Sequence, residues 1–86
     1  MKIPSNLFNQ FIAFNNRGGY KAYGSNKGIE LHKPKCKSLF VSNSNELNDE
    51  ATKRYMLMLE LWFKQGKSFI DDLKKVEVKR TYKMVA

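Results

Sequence analysis

Hydrophobic positions switch period several times along this chain, and each switch marks a change of element. Near the start, Leu7, Phe8, Phe11 and Ile12 share one face of a helix that Ser5 is placed to cap. The same stretch alternates as Phe8, Gln10, Ile12 and Phe14, so the expectation is a short helix running into extended chain. Asn15-Asn16-Arg17-Gly18-Gly19 has the composition of a turn. Alternation then takes over in residues 20–23, 29–33 and 36–42, with Gly24-Ser25-Asn26-Lys27-Gly28 as a second turn and Pro34 marking an edge or a bend. Region 15–42 therefore reads as a small antiparallel sheet with short connections.

After Ser42 the period returns to that of a helix. Asn43 and Glu46 are spaced as a capping box, and Glu46, Asp49 and Glu50 favour a helix N-terminus through its dipole. A helix is expected over residues 45–65, ended by Gly66, and Ser68 with Asp71 signals a short second helix over 68–75. Val76, Val78, Arg80, Tyr82 and Met84 then alternate with polar residues, as a basic C-terminal strand that joins the sheet or swaps onto a partner chain. The fold expected is α+β, one domain over 1–86. In it a small antiparallel sheet packs on one long helix, with a short second helix and a C-terminal strand.

The long helix is the least ordinary element. Leu47, Ala51, Tyr55, Met58, Leu59 and Trp62 form its core stripe. The run from Tyr55 to Phe63 is apolar almost all round, and Leu57 and Leu61 lie roughly opposite that stripe. A chain of 86 residues has little material to cover a second face. Leu57 and Leu61 are therefore the expected interface of a homodimer.

Charge changes the picture next. The net charge is +8, but residues 1–45 hold seven Lys or Arg against Glu30 alone, residues 46–73 are net acidic, and residues 74–86 hold five Lys or Arg against Glu77. Two basic segments around an acidic one are the electrostatic footprint of a nucleic-acid binder. Arg17-Gly18-Gly19-Tyr20-Lys21-Ala22-Tyr23 interleaves cations with aromatics that can stack on unpaired bases. Tyr20 and Tyr23 are expected on one face, partly buried, with Lys21 on the other, so that Arg17 and Lys21 meet the ligand. Lys33, Lys35 and Lys37 alternate; in extended chain they would project from one face about 6–7 Å apart, near the spacing of successive phosphates. The nucleic-acid-binding residues expected are Arg17, Lys21, Lys27, Lys33, Lys35, Lys37, Lys79, Arg80 and Lys83.

Catalytic and metal chemistry find little purchase. His32 and Cys36 are four apart with Pro34 between them, and no second Cys or His exists to complete a structural zinc site. Cys36 as nucleophile with His32 as base lacks a third, orienting group. Asp71-Asp72 sit where a helix start favours acids, and the glycines match no phosphate loop. No metal and no cofactor is expected. No apolar run approaches the ~20 residues of a membrane helix, no apolar secretory leader is visible, and a single cysteine suits a reducing compartment. A cytoplasmic protein without a membrane partner follows.

The basic segments 17–23 and 33–37, the lone Cys36 and the 74–83 tail, in a chain of this size, resemble the small basic accessory proteins of large tailed phages. Among these the chain is similar to the RNA-binding toxin inhibitors of T4-like phages. The resemblance implies a phage-encoded counter-defence protein of the host cytoplasm that inhibits a toxin–antitoxin ribonuclease through RNA. It carries over no functional residue. The sequence as a whole points to a non-enzymatic RNA-binding homodimer. The alternatives are a modulator that docks an acidic host protein directly, or a DNA-binding regulator; for the latter the best helix is acidic at its start and apolar in its middle, which suits a major groove poorly.

Overall fold

The alternation after residue 20 becomes a three-stranded antiparallel meander in the computed structural model, which describes residues 1–75. Strands β1 (Lys21–Ser25), β2 (Gly28–His32) and β3 (Leu39–Ser42) lie in the order β1-β2-β3. Before the sheet comes a single 3-10 turn, Ser5–Leu7, and helix α1 (Phe8–Arg17); after it come α2 (Asp49–Gln65) and α3 (Lys67–Lys75). The α+β fold is as expected; the expected long helix and short second helix are α2 and α3, and the N-terminal helix α1 joins them in the core that the sheet shares. The C-terminal strand expected at 76–84 lies outside the described residues.

Ala22, Leu31, Leu39 and Val41 on one sheet face are buried with Phe11, Ile12, Ala51, Tyr55, Met58, Ile70 and Leu73 from the helices. Phe11 meets Tyr55 edge-on at 6.2 Å, and Phe14 meets Phe69 at 6.1 Å. Such edge contacts add to the burial of the rings. Burial also pushes the Tyr55 phenol above its ordinary pKa by desolvation. The other sheet face carries Lys21, Tyr23, Glu30 and His32, all exposed. An antiparallel sheet permits one such bare face.

Helix α1 continues through Arg17, replacing the expected extended chain and the start of the expected turn at 15–19, because Asn15 is satisfied inside the fold. Its Nδ2 donates to the Phe11 carbonyl at 2.9 Å, and its Oδ1 accepts from Arg54 Nε at 2.7 Å. The helix then ends in a Schellman arrangement. Gly19 takes a φ of 97°, its N–H bonds the Asn16 carbonyl, and the Tyr20 N–H bonds the Asn15 carbonyl. Ser5 does not cap the helix; its hydroxyl accepts from Asn45 Nδ2 at 3.1 Å.

The α2 cap lies five residues beyond the expected Asn43. Asn48 is the N-cap, its Oδ1 accepting from Ala51 N at 2.9 Å. The same oxygen accepts from Phe40 N, and Asn48 Nδ2 donates to the Ser38 carbonyl, both at 3.1 Å. One side chain thus ties the helix start to β3. Residues 42–45 form a turn instead, held by Asn45 N to the Ser42 carbonyl at 2.9 Å.

Along α2, Ala51, Tyr55 and Met58 are buried as the stripe predicts, with Leu59 and Trp62 partly buried beside them. The two leucines assigned to the opposite face part company. Leu57 is exposed, whereas Leu61 is half-buried and packs on the core. The bare apolar surface is formed by Leu57 together with Met56 and Phe63, the last of which is 91% exposed.

Candidate nucleic-acid interface

Cations and aromatic rings meet on the bare sheet face, at the end where β1 begins and β2 finishes. Lys21 pairs with His32 across the strands, and Tyr23 pairs with Glu30. Side chains two apart on a strand share a face, so Lys21 and Tyr23 stand side by side. The His32 ring lies 5.5 Å from the Tyr23 ring, tilted by 59°. With Gly19, Lys33 and Pro34 these residues line an open groove of about 350 Å³.

The two tyrosines do not share a face. Three residues apart on extended chain is an odd step, which sends them to opposite sides. Tyr20 is buried, with Arg54 5.2 Å and Lys33 Nζ 5.6 Å from its ring centroid. Tyr23 is the exposed one and stands beside Lys21, not across from it. Tyr20→Ala is therefore expected to destabilise the fold by about 3 kcal/mol. Tyr23→Ala is expected to change stability by no more than about 0.5 kcal/mol. Urea melts of the two variants check this, and equal losses would refute the assignment of faces.

Segment 33–37 is not extended. Cys36 N bonds the Lys33 carbonyl at 3.1 Å, Pro34 is second in the turn, and Lys35 takes a φ of 65°. Proline second and positive φ third is the pattern of a type II turn. The single lysine face expected for Lys33, Lys35 and Lys37 does not form, because the turn breaks the alternation of extended chain. All three remain exposed, next to the groove that Lys33 lines.

Other expected cations are placed elsewhere. Lys27 sits in the β1–β2 hairpin, at the far end of the sheet from the Lys21–His32 pair. The rise of a strand puts it roughly 15 Å from the groove end. Arg17 closes α1 and donates from its guanidinium to the Asp72 carbonyl at 3.4 Å, so it faces α3. Lys79, Arg80 and Lys83 lie outside the described residues.

Two features escaped the sequence reading. Arg54 is half-buried, with its guanidinium 4.7 Å from the Phe14 centroid and its Nε on Asn15, so it fastens α2 to α1. The signal available was only a basic residue next to the core position Tyr55. His32 is fully engaged: Nε2 and Glu30 Oε1 are 2.8 Å apart, as are Nδ1 and Ser38 Oγ. With Nε2 carrying the proton, Glu30 accepts from His32 and the Ser38 hydroxyl donates to Nδ1. Neither nitrogen is directed to Cys36, which is exposed in the turn. The arrangement presents the imidazole as a fixed flat ring beside Tyr23. Among the described residues no three His, Cys, Asp or Glu side chains gather where they could hold a metal ion, and no helix is long and apolar enough to cross a membrane.

No protein family matches this sequence, and no curated protein or solved structure is significantly similar to it.

Proposed function

We propose that this chain binds RNA without catalysing a reaction, and that the bare sheet face at its Lys21–Lys33 end is the contact surface. The observation that carries the reading is the meeting of exposed cations with exposed rings in one groove. Lys21 and Lys33 line it beside Tyr23 and His32, and Lys35 and Lys37 extend the positive end. Cations neutralise phosphates, and rings offer stacking faces to bases. RNA is favoured over duplex DNA because the cations stand on strands and turns, while α2 opens with Asp49 and Glu50.

The narrower role follows from the phage resemblance: a cytoplasmic counter-defence factor that restrains a host toxin ribonuclease through a shared RNA. A pull-down with and without ribonuclease tests both levels. Loss of every protein partner on ribonuclease treatment supports the RNA-bridged role. A partner complex that survives the treatment overturns it in favour of direct docking, and failure to shift RNA in a low-salt gel overturns RNA binding itself.

A homodimer through α2 belongs to the same proposal, with Leu61 withdrawn onto the core and the apolar surface made by Leu57, Met56, Leu59, Trp62 and Phe63. The last three line an apolar groove of about 450 Å³, and a two-fold axis would set each Phe63 against the same groove of the partner. Light scattering is expected to give twice the chain mass of 10.0 kDa, and Phe63→Glu is expected to halve it. A wild-type monomer at micromolar concentration would refute the dimer.

A further inference from the structure

We infer that the groove beside Tyr23 is a pocket for one unpaired nucleotide: the base stacks on the Tyr23 ring and its phosphate lies between Lys21 and Lys33. The inference rests on the RNA-binding reading and makes it specific, because it selects single strands over duplexes.

Tyr23 carries the argument. It is 47% exposed, on a sheet face where Lys21, Glu30 and His32 are exposed as well among the described residues. A large ring left half in water at the middle of a strand adds little to the core; the buried face of the same strand is served by Ala22 and Gly24. Its ring is nonetheless held in place. The backbone pairs with Glu30 across the strand, and His32 packs at 5.5 Å with both nitrogens engaged by Glu30 and Ser38. A fixed ring loses little conformational freedom when a base stacks on it, which is what makes a stacking platform effective.

The surrounding charge orients the ligand. Glu30 stands directly across from Tyr23 and repels a phosphate from the centre of the sheet. Lys21 and Lys33 lie towards the sheet end. A nucleotide is therefore oriented with its base over Tyr23 and its phosphate towards Gly19 and Pro34. Gly19 makes room there: a side chain on it would crowd the Lys33 stem, since a Cβ would lie 3.3 Å from Lys33 Cε. The groove volume, about 350 Å³, is at the small end of the ~300–1,000 Å³ range of small-ligand pockets. That is room for one nucleotide, not for a paired duplex edge. Bases in an A-form duplex are stacked on one another and offer no free face.

The test compares an oligoadenylate single strand with a blunt-ended RNA duplex carrying the same number of phosphates, by fluorescence anisotropy at one low salt concentration. Tyr23→Ala is expected to weaken oligoadenylate binding about tenfold, to leave duplex binding and the thermal midpoint unchanged, and to be rescued by Tyr23→Phe. Lys21→Gln with Lys33→Gln is expected to weaken both RNAs. If Tyr23→Ala binds oligoadenylate like wild type while the lysine variant is defective, the nucleotide pocket is wrong and RNA binding stands. If Tyr23→Ala weakens both RNAs equally or lowers the thermal midpoint, the ring is structural and the pocket is again wrong. If the wild type binds neither RNA, the pocket falls together with the reading it rests on.

Discussion

Replacing Lys33, Lys35 and Lys37 together with glutamine is expected to reduce the salt dependence of single-strand RNA binding by about 2 in log–log slope. Each phosphate neutralised on a single strand contributes about −0.7 to that slope through counterion release. Lys21, Lys33, Lys35 and Lys37 acting together give a wild-type slope of about −3, so affinity falls roughly 50-fold between about 50 and about 200 mM salt. Cations at 79–83 would steepen the wild-type slope but not the difference between variants, which is why the difference is the decisive quantity. Lys27→Gln is the control. It removes one positive charge, against three in the triple variant, at the other end of the sheet and is expected to leave the slope unchanged. Filter binding over a salt series measures all three proteins. An unchanged slope in the triple variant, or a flattening by Lys27→Gln of about 0.7, as expected for one contacted phosphate, would show that the positive end of the sheet is not the contact surface.

The elements were legible in the sequence wherever one period dominated. Ile29, Glu30, Leu31 and His32 alternate cleanly and form β2. Ala51, Tyr55 and Met58 repeat as a helix and are buried as one stripe. Helix starts were harder: the capping-box spacing pointed to Asn43, whereas Asn48 is the cap. The choice of Asn48 depends on Phe40 and Ser38, which the sheet brings to it from eight and ten residues away. The length of α1 depended likewise on Arg54, 39 residues from the Asn15 it satisfies.

The candidate site was legible in its cations and illegible in its geometry. Lys21 and Lys33 were identified by charge alone, but what unites them is the β1–β2 register that sets Lys21 against His32. Lys35 and Lys37 were read as extended because alternation outweighed Pro34, whereas the proline with a positive-φ Lys35 makes a turn. The face of Tyr20 was misassigned for a simpler reason, since an odd number of steps separates it from Tyr23 and a two-residue period admits only one answer. On α2, the covering of Leu61 depends on tertiary packing that a helical projection does not contain.

Gly28→Ala is expected to be the most damaging single-methyl change in the described structure, with a loss of about 3 kcal/mol or more. Two costs combine. Gly28 has a φ of 148°, which an L side chain rarely adopts. Its added methyl would overlap the Val41 carbonyl oxygen and lie 2.8 Å from Ser42 Cα and 3.1 Å from Phe40 Cζ. The first two obstacles are backbone of the paired strand, so they cannot swing aside as a side chain does, and β2 and β3 must part where Gly28 pairs with Ser42. Gly66→Ala separates the two costs. Its φ of 78° is also positive, yet nothing lies within 4 Å of the added carbon, so only backbone strain of about 1 kcal/mol applies. In thermal melts the Gly28 variant is expected to lose on the order of 15 °C or more and the Gly66 variant about 5 °C. Equal shifts would show that β2 and β3 are not held as closely as the structure places them. The consequence reaches the site, because Gly28 opens β2 opposite Ser25 and thereby sets Tyr23 opposite Glu30 and Lys21 opposite His32. A Gly28→Ala protein that folds with β2 displaced by one residue sends Glu30 and His32 to the core face. It is then expected to lose the groove and RNA affinity together.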